Sequence, residues 1–178
     1  MDAARAVKVV ITGKATGKIT IEADDNIMEY VVVEAKGGRL TATIDKSVNN
    51  VSNADVTVTV PANGRIRALD ASSAARITSD VTLTADKFSI DASSAARIDA
   101  AVKSTSCTVA ASSASKITLK GSADKCSIDM SSAAKLSAAE FTVADCSVDT
   151  SSAAKATVNC TDKLRAEASS GSSIRYTG

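Results

Sequence analysis

The chain has 178 residues, long enough to bury a core, and its 21 Lys+Arg offset 20 Asp+Glu to a formal charge of +1. That balance excludes a long-range field able to gather nucleic acid or an anionic membrane. Aromatics are 2% and His and Trp are absent, so the interior must be Val, Ile, Leu and Ala, and imidazole catalysis is excluded.

Met1-Asp2-Ala3-Ala4-Arg5-Ala6 lacks the apolar stretch of a signal peptide. No apolar run approaches the roughly 20 residues that cross a bilayer, so the chain carries no transmembrane segment. Strands are predicted over residues 7–11, 18–21, 30–33, 40–44 and 56–60, where Val, Ile and Thr dominate. Gly13, Gly17, Gly37-Gly38 and Pro61-Ala62-Asn63-Gly64 punctuate them. Gly13-Lys14-Ala15-Thr16-Gly17-Lys18 superficially resembles a phosphate loop, but its spacing fails the Gly-x4-Gly-Lys-Ser/Thr rule and no helix follows. It reads as a hairpin or coil corner. Residues 1–64 are therefore irregular N-terminal coils, differing from the rest because a terminal coil must cover an open strand edge.

From residue 65 one pattern returns six times: apolar-acidic-small, then Ser-Ser-Ala-Ala-basic-Ile. The first copy is Leu69-Asp70-Ala71-Ser72-Ser73-Ala74-Ala75-Arg76-Ile77, and the first serines are Ser72, Ser93, Ser112, Ser131, Ser151 and Ser169, spaced by 21, 19, 19, 20 and 18 residues. Apolar residues around each pair recur at every second position, as in Phe88-Ser89-Ile90-Asp91-Ala92, which is a strand period. A coil of this length with tight polar corners is a β-helix rung. The leucine-rich repeat, of similar length, is excluded because its fixed Leu and Asn positions are missing. No linker composition interrupts the chain, so residues 1–178 are read as a single β-helix domain, all-β.

Alignment of the copies predicts three interior ladders, with neighbours about 4.8 Å apart. They are Phe88, Cys107, Cys126, Cys146 and Leu164; Leu69, Ile90, Val109, Ile128, Val148 and Ala166; and Ile77, Ile98, Ile117, Leu136, Ala156 and Ile174. In the first, Cys substitutes for a hydrophobe, so the thiols read as buried core rather than as metal ligands or a disulfide framework. Cys160 falls outside that column.

Two ladders face outward. Asp70, Asp91, Asp129, Asp149 and Glu167 lie two positions before the first serine, with Ala110 breaking the series, and Arg76, Arg97, Lys116, Lys135 and Lys155 lie four after it, ending at Ser173. They read either as an ion-binding stripe for calcium or a polysaccharide, or as paired ladders that neutralise each other across the corner. Like charges stacked in register repel, so an opposite ladder alongside would relieve them. The doubled serines read as corner residues bonding local backbone groups, because no copy differs from the next and an active site is unique. Thr57-x-Thr59 and Thr82-x-Thr84 do not recur from coil to coil, which argues against an ice-binding lattice. No catalytic, cofactor or metal residue is assigned.

Ser112-Ser113-Ala114-Ser115-Lys116-Ile117 and its variants resemble the Ser-Gly-Ala-Ser-Lys repeats of the putative auto-transporter adhesin, head GIN domain family. Gly37-Gly38-Arg39-Leu40, the strand ending at Pro61 and the closing Gly171-Ser172-Ser173-Ile174-Arg175-Tyr176-Thr177-Gly178 look like that family too. One departure is the second corner residue, usually Gly there, which is Ser73, Ser94, Ser113, Ser132 and Ser152 here, where positive φ is less comfortable. The resemblance implies a right-handed parallel β-helix exported by bacteria of the Bacteroidetes type, its signal peptide removed ahead of Met1. It also implies an extracytoplasmic place: cell surface, periplasm or secreted.

Three functions follow as expectations. The first is a non-enzymatic surface or secreted module that contacts glycan or extracellular matrix, with no nucleic-acid partner and no cofactor. The alternatives are a polysaccharide-active enzyme, which rests on fold analogy alone, and a scaffold in which one copy pairs end to end with another.

Overall fold

Alternation of buried and exposed side chains decides the backbone. Along Arg97–Ala111, Ile98, Ala100, Val102, Cys107, Val109 and Ala111 are buried, whereas Arg97, Asp99, Lys103 and Thr108 are exposed. Inward and outward residues take turns, as on any pleated strand with one buried face. The computed structural model describes residues 1–13, 17–48, 55–62 and 66–178, and over these the chain is a parallel β-solenoid with about 19 residues per coil.

The strands in chain order are β1 (Asp2–Ala3), β2 (Lys8–Thr12), β3 (Thr20–Ala23), β4 (Val31–Lys36), β5 (Arg39–Ile44), β6 (Val56–Pro61) and β7 (Ala68–Ala71). The long, bent strands of the regular coils follow: β8 (Arg76–Ala92), β9 (Arg97–Ala111), β10 (Lys116–Met130), β11 (Lys135–Thr150) and β12 (Lys155–Ala168), then β13 (Ser173–Thr177). The single helix among the described residues, Asp25–Met28, is one turn. From β7 to β13 each coil pairs with the next in parallel, and the three ladders superpose as the alignment predicts. They are interior only as far as the last coil, where Leu164 and Ile174 are half-buried and Ala166 is exposed because no further coil covers them.

The N-terminal coils join this sheet in an order the chain does not follow. β1 pairs with β5 on one side and β7 on the other, and β2 lies between β6 and β8. The first twelve residues thus form a rung inserted between the β5–β6 coil and the first regular coil. Beyond them, β4 folds back antiparallel on β5, and β3 antiparallel on β6, so the last neighbours at this end do not continue the parallel stack. Gly37 and Gly38, both at positive φ (59° and 76°), make the two-residue turn between β4 and β5. The phosphate-loop-like stretch includes 14–16, and the Pro61–Gly64 turn includes 63–64; both are in part outside the described residues.

Each residue of the Ser-Ser-Ala-Ala corner has a separate job. In the corner Ser93–Ala96, Ser94 and Ala95 both take left-handed backbone (φ 50° and 61°), and Ala96 N–H closes the turn on Ser93 O at 3.0 Å. The same pair of positive φ values recurs at Ser73-Ala74, Ser113-Ala114, Ser132-Ala133 and Ser152-Ala153. Left-handed backbone costs a non-Gly residue roughly 1–2 kcal/mol. Hydrogen bonds between corners oppose that cost: Ala95 N–H donates to Ser113 O and Ala114 N–H to Ser132 O, both at 2.9 Å. The fourth position points inward, where the sharp bend leaves room only for a small side chain: Ala75, Ala96, Ser115, Ala134 and Ala154 are all buried. Larger groups fill the flatter walls, with Phe88 and Phe141 the largest.

Candidate functional site

The corners set two charged columns on the outside of the solenoid. Asp70, Asp91, Ala110, Asp129, Asp149 and Glu167 are successive partners, as are Arg76, Arg97, Lys116, Lys135, Lys155 and Ser173. Both columns extend one rung further than the sequence reading gave them, because Asp2 is in register with Asp70 and Lys8 with Arg76. The segment Asp2-Ala3-Ala4-Arg5-Ala6-Val7-Lys8-Val9 is a seventh copy of the corner, with Arg5 and Ala6 at positive φ like Ser73 and Ala74. It carries no serine. The signal that could have found it is the acid-to-base interval, the same in Asp2/Lys8 as in Asp70/Arg76.

The two columns do not neutralise one another. Among the described residues the ion pairs are Arg39–Asp2 at 3.8 Å, Arg39–Asp70 at 4.0 Å, Lys120–Glu140 at 3.0 Å and Arg165–Glu167 at 2.6 Å. None joins the acidic column to the basic one, so the expectation of paired ladders is not met. The side chains leave the corner on separate walls, and no pair comes within ion-pair distance. Partial burial holds the Asp70 carboxyl above its usual range, and repulsion from Asp2 and Asp91 adds to it against the pull of Arg39. Asp70 thus registers the stacking repulsion of its own column.

The two columns differ in how far they are already satisfied. The acidic one is interrupted at Ala110 and held at both ends by Arg39 and Arg165. The basic one runs unbroken through Lys8, Arg76, Arg97, Lys116, Lys135 and Lys155, and among the described residues no carboxylate approaches any of the six within 4.0 Å.

Cys107, Cys126 and Cys146 stand in file, buried and reduced, as the column alignment predicts. A hydrogen bond with Cys107, then burial, holds the Cys126 thiol far above its usual range, and burial pushes Cys146 up to about 11. The same hydrogen bond lowers Cys107 against its burial, whereas Cys126 and Cys146 stay protonated and unreactive at neutral pH. Cys160 is in register with Val143 and donates its S–H to Lys163 O at 3.0 Å, so it belongs to a different interior column. No group of side chains among the described residues is arranged to hold a metal ion.

The doubled serines behave differently from the sequence reading. Their backbone groups hold the corners, and their hydroxyls have no hydrogen-bond partner among the described residues. The hydroxyl bonds belong instead to inward positions, such as Ser115 Oγ donating to Ala92 O at 2.8 Å. The threonine pairs form no lattice: Thr59 meets Thr20 on the antiparallel β3, but Thr57 faces Lys8, Thr82 faces Ala101 and Thr84 faces Lys103. A hollow of about 790 Å³ on a third wall is lined by Arg67, Asp86, Lys87, Lys103 and Asp124. Its charges are mixed and do not repeat along the stack.

A family model described as "Putative auto-transporter adhesin, head GIN domain" matches residues 2–178. No curated protein matches the chain. Among solved structures, a putative adhesin from Bacteroides fragilis superposes with a TM-score of 0.79 at 16% identity, over 99% of this chain and 89% of that one. A putative adhesin from Parabacteroides merdae gives 0.65 at 12%, covering 99% and 90%. A protein from Parabacteroides distasonis described as a putative lipid binding protein gives 0.61 at 11%, covering 99% and 91%. At such identities the likeness shows a shared fold. No helix among the described residues is long and apolar enough to cross a membrane.

Proposed function

Because the chain belongs to the putative auto-transporter adhesin, head GIN domain family, we propose that it is a non-enzymatic contact module. It works outside the cytoplasm and binds an extended partner, glycan or matrix, along its outer walls. The observation that carries this reading is repetition: along the two charged columns the outward residues present the same chemistry on nearly every rung. A solenoid wall of that kind suits a long, periodic partner. Catalysis needs the reverse, a unique cluster with a nucleophile or acid held against its base, and a stripe of identical exposed charges supplies none.

The test is capture by immobilised protein on panels of glycans and matrix components, repeated with alanine at exposed positions of each wall in turn. The reading predicts that one wall's substitutions abolish capture and the others leave it. Capture indifferent to every exterior change, or cleavage of a captured polysaccharide, would overturn it.

A further inference from the structure

We propose that the file Lys8–Arg76–Arg97–Lys116–Lys135–Lys155 is the binding stripe for a linear acidic polysaccharide, one carrying a single anionic group per sugar. This inference rests on the contact-module reading and names its wall and its partner.

The first ground is an unrelieved charge. Six exposed cations stand in register with no ion-pair partner among the described residues, at a strand spacing of about 4.8 Å. Stacked like charges repel, and nothing in the described protein offsets this column, whereas the acidic column is broken at Ala110 and tied at Asp70 and Glu167. A polymer that lays one anion opposite each cation removes that repulsion and gains six charge-assisted contacts, of which Arg76 and Arg97 can be bidentate.

The second ground is shape. The stripe is one cation wide and spans about 24 Å over its five intervals. A single pyranose ring is about as long as the gap between two stacked strands, so charges borne once per sugar fall near the rung spacing. Duplex nucleic acid presents two strands of phosphate and needs a broader basic footprint, which the carboxylate column across the corner denies it.

The third ground is the next outward column on the same wall: Val10, Thr78, Asp99, Thr118, Ser137, Thr157 and Arg175. Its four hydroxyls flank the cations and can exchange hydrogen bonds with sugar hydroxyls. Asp99 is the one carboxylate there, and it places a local repulsion beside Arg97.

The experiment is calorimetric titration of the full chain with oligogalacturonates of two to ten units, and with the same oligomers methyl-esterified. Affinity should rise with length to about six units and then level, fall as salt rises, and be lost on esterification. The variant R97Q/K116Q/K135Q should bind at least ~30-fold more weakly, about threefold for each cation removed. D91N/D129N, on the other wall, serves as the control for folding and should bind as the parent does. Equal binding of the ester, an unchanged triple variant, or equal affinity for polyglutamate or duplex DNA of matched charge would overturn the assignment. If no acidic polymer binds while neutral glycans or matrix are still captured, this assignment falls and the contact-module reading stands. If nothing at all is captured, both fall.

Discussion

Residues at the corners carry the strain of this fold, and their chemistry is testable one position at a time. Ala95 is exposed and left-handed (φ 61°), so replacing it removes no buried contact. Ala95→Gly relieves a backbone cost of roughly 1–2 kcal/mol and forfeits roughly 0.5–1 kcal/mol in unfolded-chain entropy. It should therefore raise stability by up to about 1.5 kcal/mol. Ala95→Val places a β-branched side chain where φ is positive and should lower stability by about 1–3 kcal/mol. Urea midpoints of the two variants should move in opposite directions. The thiols give a pH prediction. Cys146 ionises near 11 in the fold against an ordinary 9.0, so its contribution is complete below pH 9 and is lost as pH rises through 11. Stability measured across that window should decline, and less steeply in Cys146→Ala. At neutral pH a thiol reagent should find the four cysteines only after unfolding.

Elements were legible where period and punctuation agreed, and hidden where a rung had lost its marker. The predicted strands at residues 7–11, 40–44 and 56–60 match β2, β5 and β6 to within a residue. The N-terminal rung escaped notice because Arg5 and Ala6 stand where serine and alanine mark the other corners, although the backbone conformation is the same. Its insertion between β5 and β7 was equally invisible, since strand order depends on which edges pair and not on any one segment's pattern. The charged columns were read correctly as columns. Their failure to pair was not legible, because it depends on the angle at which two walls meet. Gly121 marks a further element-level constraint, in register between Val102 and Phe141. A Cβ there would lie 2.1 Å from the Val102 carbonyl oxygen, and its φ is +107°. Gly121→Ala should destabilise by about 1–3 kcal/mol, read as a fall in Tm.

At the scale of the molecule, one sheet and one continuous core connect the N-terminal rungs to the repeats. We propose that residues 1–178 fold as one unit, for which denaturation followed at Tyr30 and at a label near Ser151 should give coincident transitions. Separate transitions would divide the chain at the junction of β6 and β7. The functional reading depends on something more specific, that six cations share one file at strand spacing. The direct measurement is electron paramagnetic resonance of nitroxides attached at Arg97→Cys, Lys116→Cys and Lys135→Cys together, the native thiols being buried. In-register stacking puts neighbouring labels about 5 Å apart, so the account predicts a spectrum collapsed by spin exchange, which single-label proteins lack. A triple-label spectrum equal to the sum of three non-interacting single-label spectra would contradict it.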